Sequence, residues 1–164
     1  MAKMTFLKAA DYRIQLQKLY DRSEDSIKKA VYEGAAVIID QVRTNLQGLN
    51  TISNKEALKR YRLKETTMLT DEQKKGLLDS LGLTEIQNQK GYINTKLGFD
   101  GYNAVITKKY PKGQPNVLVA RATENGSSIA KRQPFVSTGV KAKRAEAEKK
   151  MADIIDQETE MIFK

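Results

Sequence analysis

The sequence predicts an α+β protein with long helices near both ends of the chain and strand structure between them. Residues 23–48 repeat apolar side chains every three or four positions, which is the spacing of one helix face. Residues 91–99 alternate apolar and polar side chains, as half-buried strands do. Residues 140–164 are rich in Ala, Glu and Lys and predict a second long helix. A chain of 164 residues is most simply one domain, 1–164.

The first part of the chain predicts two helices in succession. Residues 6–20 carry apolar side chains at rough helical spacing. Ser23 is a residue type that caps helices, and two acidic residues follow it, so we expect a new helix to begin there. This second helix should end near Gly48. Small residues at 34–36 leave room on it for another backbone to approach closely.

Residues 49–69 are less regular and predict a flexible, basic connector. The segment places Tyr61 among the basic residues Lys55, Lys59, Arg60, Arg62 and Lys64. Such a patch could hold a phosphate backbone. A solvated connector with one short helix explains the same residues and is the favoured interpretation.

Thr70 predicts the start of the next helix. Gln73 follows it at the spacing of a capping box, in which each residue bonds the backbone N–H of the other. Leucines form the apolar face of this helix, and Gly82 is expected to end it. Beyond it, residues 91–99 predict one strand and 102–106 a second strand or an extended arm. Residues 107–114, with two of the three prolines, predict a loop.

Residues 115–144 predict a structural joint rather than a catalytic centre. The segment 117–124 can be a helix or a strand, with helix slightly favoured, and Gly126 would follow it in a conformation open to glycine. A basic connector then leads to Pro134 and Phe135, where the residues before proline should be extended. Gly126, Pro134 and Phe135 together would redirect the chain into the terminal helix.

The composition argues against an enzyme. The chain contains no Cys and no His, so it lacks thiolate nucleophiles, His bases and the usual zinc ligands. Helix capping explains the acidic pair Asp71–Glu72, and a charged helix face explains Asp153 and Asp156. We therefore expect no catalytic residue, no metal site, no cofactor and no small-molecule substrate.

The formal net charge of +9 favours an acidic partner: nucleic acid, an anionic membrane surface or an acidic protein. A soluble protein with lysine-rich surfaces explains the charge equally well. No run of about 18 apolar residues predicts a membrane span. The N-terminal residues lack the apolar region of a signal peptide, so we expect an intracellular product or a particle assembled inside the cell.

The order of these features resembles the tail-completion or head–tail joining proteins of long-tailed bacteriophages and prophages. The resemblance covers most of the chain from about Asp11 and is densest in 74–103 and 109–140. It runs from an N-terminal helical pair through LLDSLG and GFDGYN to YPKGQPNVLVARATENGSS, RQPFV and a charged terminal helix. The Glu-x-Gly-Thr/Ser pattern of the family corresponds to residues 124–127, and its Pro-Phe pair corresponds to Pro134 and Phe135. The connector 49–69 is longer here than in many members.

The resemblance implies a small antiparallel sheet packed on the long helices. It also implies a non-enzymatic virion protein of the neck, assembled in the bacterial host cytoplasm as a closed ring of six copies. The ring would meet tail terminator or tail-tube proteins and head connector proteins, and genomic DNA would pass through it. The basic residues facing the DNA channel or acidic neighbours would be Lys108, Lys109, Lys112, Arg121, Lys131 and Arg132. The alternative is a small basic nucleic-acid-binding protein.

Overall fold

The computed structural model describes the backbone of residues 7–163 and the side chains of residues 13, 14 and 16–161. Two long helices, three short helices and four three-residue strands make up the described fold. The helices are α1 (Leu7–Gln47), α2 (Asn54–Arg62), α3 (Asp71–Ser80), α4 (Asn116–Asn125) and α5 (Val136–Phe163). The strands are β1 (Leu81–Leu83), β2 (Gln87–Gln89), β3 (Tyr92–Asn94) and β4 (Leu97–Phe99). The predicted α+β class with long terminal helices is confirmed.

The long helices α1 and α5 pack against each other as an antiparallel pair. Gly139, near the start of α5, lies against Val42 near the end of α1. Further along, the side chain of Met151 fills the space over Gly34, where an added Cβ atom would collide with it. Lys29 Nζ and Glu158 Oε1 then form an ion pair at 2.6 Å. With 28 residues, α5 carries the chain about 42 Å from the joint to this distant end.

The helix α1 is continuous, so the predicted break at Ser23 is wrong. Its 41 residues run through this position, and Ser23 Oγ donates a hydrogen bond of 2.8 Å to the carbonyl oxygen of Tyr20. A serine hydroxyl can bond the preceding turn of a helix as well as cap a new one. Because no Gly or Pro precedes Ser23 in this region, nothing forces the backbone out of the helix. The predicted end near Gly48 is confirmed.

The helix α3 has the capping box that the sequence predicts, but not the predicted end. Thr70 Oγ1 accepts a hydrogen bond from the Gln73 N–H, and Gln73 Oε1 accepts one from the Thr70 N–H. The helix stops at Ser80, however, and Gly82 lies inside β1 opposite Gly98. Strand pairing beginning at Leu81 therefore ends the helix, and no glycine cap is needed.

Thr70 and Ser23 make a matched pair of substitutions that tests these two assignments. Thr70→Ala removes a cap in use, so we expect it to lower the free energy of unfolding by about 1 kcal/mol. Ser23→Ala removes only an optional bond within a helix, so we expect a change below about 0.5 kcal/mol. Urea unfolding of both variants measures the difference. If Ser23→Ala lowered the free energy of unfolding as much as Thr70→Ala does, this result would contradict a continuous α1.

The single strand predicted over 91–99 is two strands that belong to different ladders. The strand β4 pairs antiparallel with β1, with Leu81 opposite Phe99, whereas β3 pairs antiparallel with β2. Between them, Thr95 Oγ1 donates to the Thr84 carbonyl, and the Lys96 N–H donates to Thr84 Oγ1. These bonds change the pairing partner of the chain at Thr95. Alternation along the sequence cannot show this, because it reports which face is buried and not which strand lies beside it.

The core lies where α1, α3, α4 and the start of α5 meet. Phe135, Leu46, Leu77 and Val42 are its largest fully buried side chains. The ring of Phe135 packs edge-on against Phe99 of β4, with 5.8 Å between ring centroids. The core thus joins the small β1–β4 ladder to the pair of long helices.

The connector 49–69 contains α2 and is tied to the fold at both ends. The Ile52 N–H donates to the Leu69 carbonyl, and the Thr67 N–H donates to the Ile129 carbonyl. Ser53 caps α2 by accepting a hydrogen bond from the Glu56 N–H. The short helix of the favoured interpretation is therefore present, and the flexibility of the segment stays a prediction.

The loop 107–114 leaves and re-enters the fold at neighbouring points. Tyr102 forms an isolated antiparallel bridge with Pro115, and the Asn103 N–H donates to the Gln114 carbonyl. Gly113 has a φ of 102° and lies so close to the Asn103 carbonyl that no side chain fits. The predicted loop is confirmed, and its two ends are held together.

Candidate interaction groove

Glu124 connects α4 to α5 through hydrogen bonds from three backbone N–H groups. Its Oε2 accepts from Phe135 at 2.8 Å and from Val136 at 2.9 Å, and its Oε1 accepts from Ser137 at 3.0 Å. These N–H groups belong to the first turn of α5, where no backbone carbonyl is available to them. The carboxylate also carries negative charge to the positive end of the helix. A side chain from one helix therefore caps the next helix.

The pKa of Glu124 is lowered from its ordinary value. Partial burial of the carboxyl group acts to raise the pKa, but the hydrogen bonds oppose it. Those from the Ser137 side chain and from the backbone of Phe135, Val136 and Ser137 favour the ionised form and together outweigh burial. The cap is therefore a charged one at neutral pH.

Gly126, Pro134 and Phe135, the residues of the predicted joint, lie in the segment that links α4 to α5. The segment before it is the helix α4, as favoured, and Gly126 follows with a φ of 76°. Ser127 then closes a turn, in which its Oγ accepts from the Ala130 N–H. The chain passes Pro134 without regular secondary structure and enters α5, which begins at Val136 rather than after Gly139. The Glu124 cap explains the earlier start.

A groove of about 910 Å³ lies beside this joint. Its walls are α2, the segment 104–110, α4 and the turn 127–131, and residues 67–70 lie between them. We call this space the groove. Leu69 and Val119 are buried residues of the core that also line it, so the groove reaches the core of the domain.

Large apolar side chains line the walls of the groove and are substantially exposed. Ile106 is 72% exposed and Tyr61 is 60% exposed, which is unusual for side chains grouped around one depression. The others are Leu58 of α2, Leu118 of α4 and Ile129 of the turn. Exposed apolar side chains that gather around a concavity mark interaction sites more often than scattered ones do.

The structure brings together three of the six predicted basic residues at the groove. Lys108, Lys109 and Lys131 are exposed and line it, and Lys109 Nζ lies 5.5 Å from the centre of the Tyr110 ring. Glu72 is the acidic residue that lines the groove. The rim is therefore mainly basic around an apolar interior.

The other three predicted basic residues lie outside the groove. Lys112 and Arg121 are exposed, on the loop and on α4. Arg132 is also exposed, and its Nε donates to the carbonyl oxygen of Glu124, so it supports the joint. The six basic residues are thus all exposed, and the sequence alone does not separate those on the rim of the groove from the other surface charges.

Reasoning from the sequence missed Glu124 as the cap of α5 and the apolar side chains of the groove. Glu124 lies 12 residues before Val136 along the chain, so no local capping pattern includes it. The groove side chains come from four separate segments, and each alone is an ordinary surface residue. The sequence signal available for the groove was the presence of two large side chains, Leu58 and Tyr61, in the short basic helix. In the structure this helix, α2, has no buried residue.

A second depression, of about 580 Å³, lies between α3 and residues 100–104. Asp79 and Asp100 line it, as do the buried Asn103 and Asn116. Across the described residues, no three acidic side chains are grouped so that they could hold a metal ion. Within residues 7–163, none of the helices combines the length and the apolar character needed to cross a membrane.

Comparison with known proteins adds no relative. No family model, no curated protein and no solved structure matches this chain.

Proposed function

We propose that this chain is a structural protein of the neck of a long-tailed bacteriophage. It completes the end of the tail and helps to join it to the DNA-filled head. Its place is in the virion, where it meets tail terminator or tail-tube proteins and head connector proteins, and it assembles in the bacterial host cytoplasm. It acts as a ring, of six copies by the resemblance, around the channel through which the genomic DNA passes. It performs no catalysis.

The observation that carries this proposal is the joint with the groove beside it. The pattern around Glu124, Gly126, Pro134 and Phe135 lies in 109–140, one of the two segments in which the family resemblance is densest. In the structure these residues lie where the chain passes from α4 to α5, and the adjoining α4 and turn 127–131 form one side of an open apolar groove with a basic rim. A domain that presents such a groove and a long charged helix suits a protein that works through contacts with neighbours.

Particle assembly tests the proposal directly. Particles made without this chain are expected to contain filled heads and separate tails, and supplying the chain should restore joined particles. Electron microscopy of the lysates measures the fraction of joined particles. Electron microscopy of the purified protein, alone and mixed with its tail-tube partner, shows whether it forms rings. Joined tails in particles that lack the chain, together with a protein that never forms rings, would refute the proposal.

A nucleic-acid-binding protein is the second candidate, and one observation favours it. Tyr61 is exposed on α2 with Lys59, Arg60 and Arg62 around it in the last turn of the helix. Aromatic and basic side chains in this arrangement can bind single strands. Arg60 is engaged by Glu56 at 3.0 Å, which weakens the case. DNA affinity that falls steeply with salt and drops in Tyr61→Ala would support this function, whereas binding unchanged by the substitution would exclude this site.

A further inference from the structure

We propose that the groove binds the last three turns of α5 from a second copy of this chain. This inference deepens the proposed function, because it names the contact that would build the ring. It depends on three observations: the chemistry of the groove, the chemistry of the end of α5, and the distance between them in one chain.

The groove needs an occupant that is apolar and acidic. Leu58, Tyr61 and Ile106 offer exposed apolar surface, and Lys108, Lys109 and Lys131 give most of its rim a positive charge. A purely apolar segment would leave these ammonium groups partly desolvated and without partners. An acidic, amphipathic helix end satisfies both requirements.

The end of α5 has this chemistry. Residues 151–163 contain four acidic residues and no basic residue, although the whole chain has a net charge of +9. On the surface of these turns Asp153, Asp156 and Glu160 are exposed, and Met161 is 62% exposed. Glu158 is already paired with Lys29 of its own chain, so it helps to hold α5 on α1. The outer face of these turns is thus acidic with an apolar side chain at its end, and the exposed basic residues Lys149 and Lys150 lie one turn before it.

The two surfaces cannot meet within one chain. The helix α5 begins at the joint beside the groove and runs about 42 Å away from it along α1. The ion pair between Lys29 and Glu158 fixes its far end there. The groove of one copy is therefore available only to the helix end of another. Because the two surfaces differ, the contact is heterologous, and repeating it gives a closed ring or a filament.

Charge-reversal variants of each surface test the contact. The groove variant is Lys109→Glu with Lys131→Glu, and the helix-end variant is Asp153→Lys with Asp156→Lys. All four side chains are exposed, so the fold should survive, and circular dichroism checks it. Matched controls make the same charge changes at exposed residues elsewhere: Lys96→Glu with Lys141→Glu, and Glu65→Lys with Glu85→Lys. We expect each test variant to weaken self-association about tenfold or more and the controls to change it far less.

Mixing the two variants gives the sharpest result. Each alone lacks one half of the contact, but the groove variant keeps its helix end and the helix-end variant keeps its groove. The mixture should therefore regain assemblies of alternating copies, as measured by native mass spectrometry, because the reversed groove and the reversed helix end also carry opposite charges. Assembly that proceeds normally in both variants would overturn this inference and leave the proposed function standing. A mixture that stays as unassembled as each variant alone would also overturn it.

Cysteine cross-linking gives an independent measurement, because the chain contains no native cysteine. Ile106→Cys in one protein and Met161→Cys in another should form a disulfide between copies under mild oxidation. Lys112→Cys, outside the groove, serves as the control partner and should cross-link far more slowly. The contradicting result is that Ile106→Cys forms no disulfide with Met161→Cys and is protected only when a different virion protein is added. The occupant of the groove would then not be a second copy, and the inference would fail.

Discussion

Replacing Phe135 with alanine is expected to lower the free energy of unfolding by about 3–5 kcal/mol. The side chain is completely buried, and its ring packs against Phe99 of β4. Truncation would leave a cavity at the point where α5 begins and the β1–β4 ladder meets the long helices. Urea unfolding, at a concentration where the chain is monomeric, measures the loss through the shift in midpoint.

Two further substitutions keep this prediction testable. Phe135→Leu retains most of the volume and should cost only about 1–2 kcal/mol, so it gives a folded variant if alanine does not. Tyr61→Ala removes another ring, 60% exposed on α2, and should change stability by less than about 0.5 kcal/mol. Equal losses at positions 61 and 135 would contradict the position of the core described above.

Replacing Glu124 with alanine is expected to lower the free energy of unfolding by about 2–3 kcal/mol. The substitution leaves three N–H groups of α5 without their acceptor and removes a negative charge from the helix start. Glu124→Gln keeps one oxygen acceptor but no charge, so a loss of about 1 kcal/mol is expected. Glu148→Gln is the control, because Glu148 forms only an exposed ion pair with Arg144.

The pH dependence distinguishes a charged cap from a merely polar one. Since folding lowers the pKa of Glu124 below its ordinary value of 4.5, the ionised carboxylate stabilises the fold above that pH. This contribution is lost as the pH falls below 4.5 and through the lower pKa of the folded protein. The stability difference between wild type and Glu124→Gln should therefore be full at pH 7 and shrink in this acidic range. A difference that stays constant with pH would show that the charge plays no part.

Local signals in the sequence predicted the elements whose cause is local. The Thr70–Gln73 box formed as predicted because both partners lie within one helical turn. The small residues at 34–36 left room for another backbone to approach, but at Gly34 the side chain of Met151 fills the space. The Ser23 prediction failed because a capping residue permits a helix start without requiring one. Where a signal needs only neighbouring residues, sequence reasoning was sufficient.

The remaining features depend on residues distant in sequence. The predicted strand over 91–99 divides because β4 finds its partner in β1 and β3 finds its partner in β2. Glu124 caps a helix that begins 12 residues later, across a turn whose shape Gly126 permits. The groove exists only when α2, α4 and two loops come together. A basic region at Lys108 and Lys109 was predictable, but the apolar interior that it borders was not.

The two ends of the loop 107–114 are held together, so the length of the loop can change without disturbing the rest of the domain. Because the Asn103–Gln114 hydrogen bond and the Tyr102–Pro115 bridge hold the two ends together, extra residues inserted after Pro111 would not strain the domain. Each doubling of such a loop costs only about 0.6 kcal/mol in chain entropy. This segment also supplies Lys108 and Lys109. Natural variants could thus change partner preference by exchanging one peptide between fixed anchor points, while the helices and core stay the same.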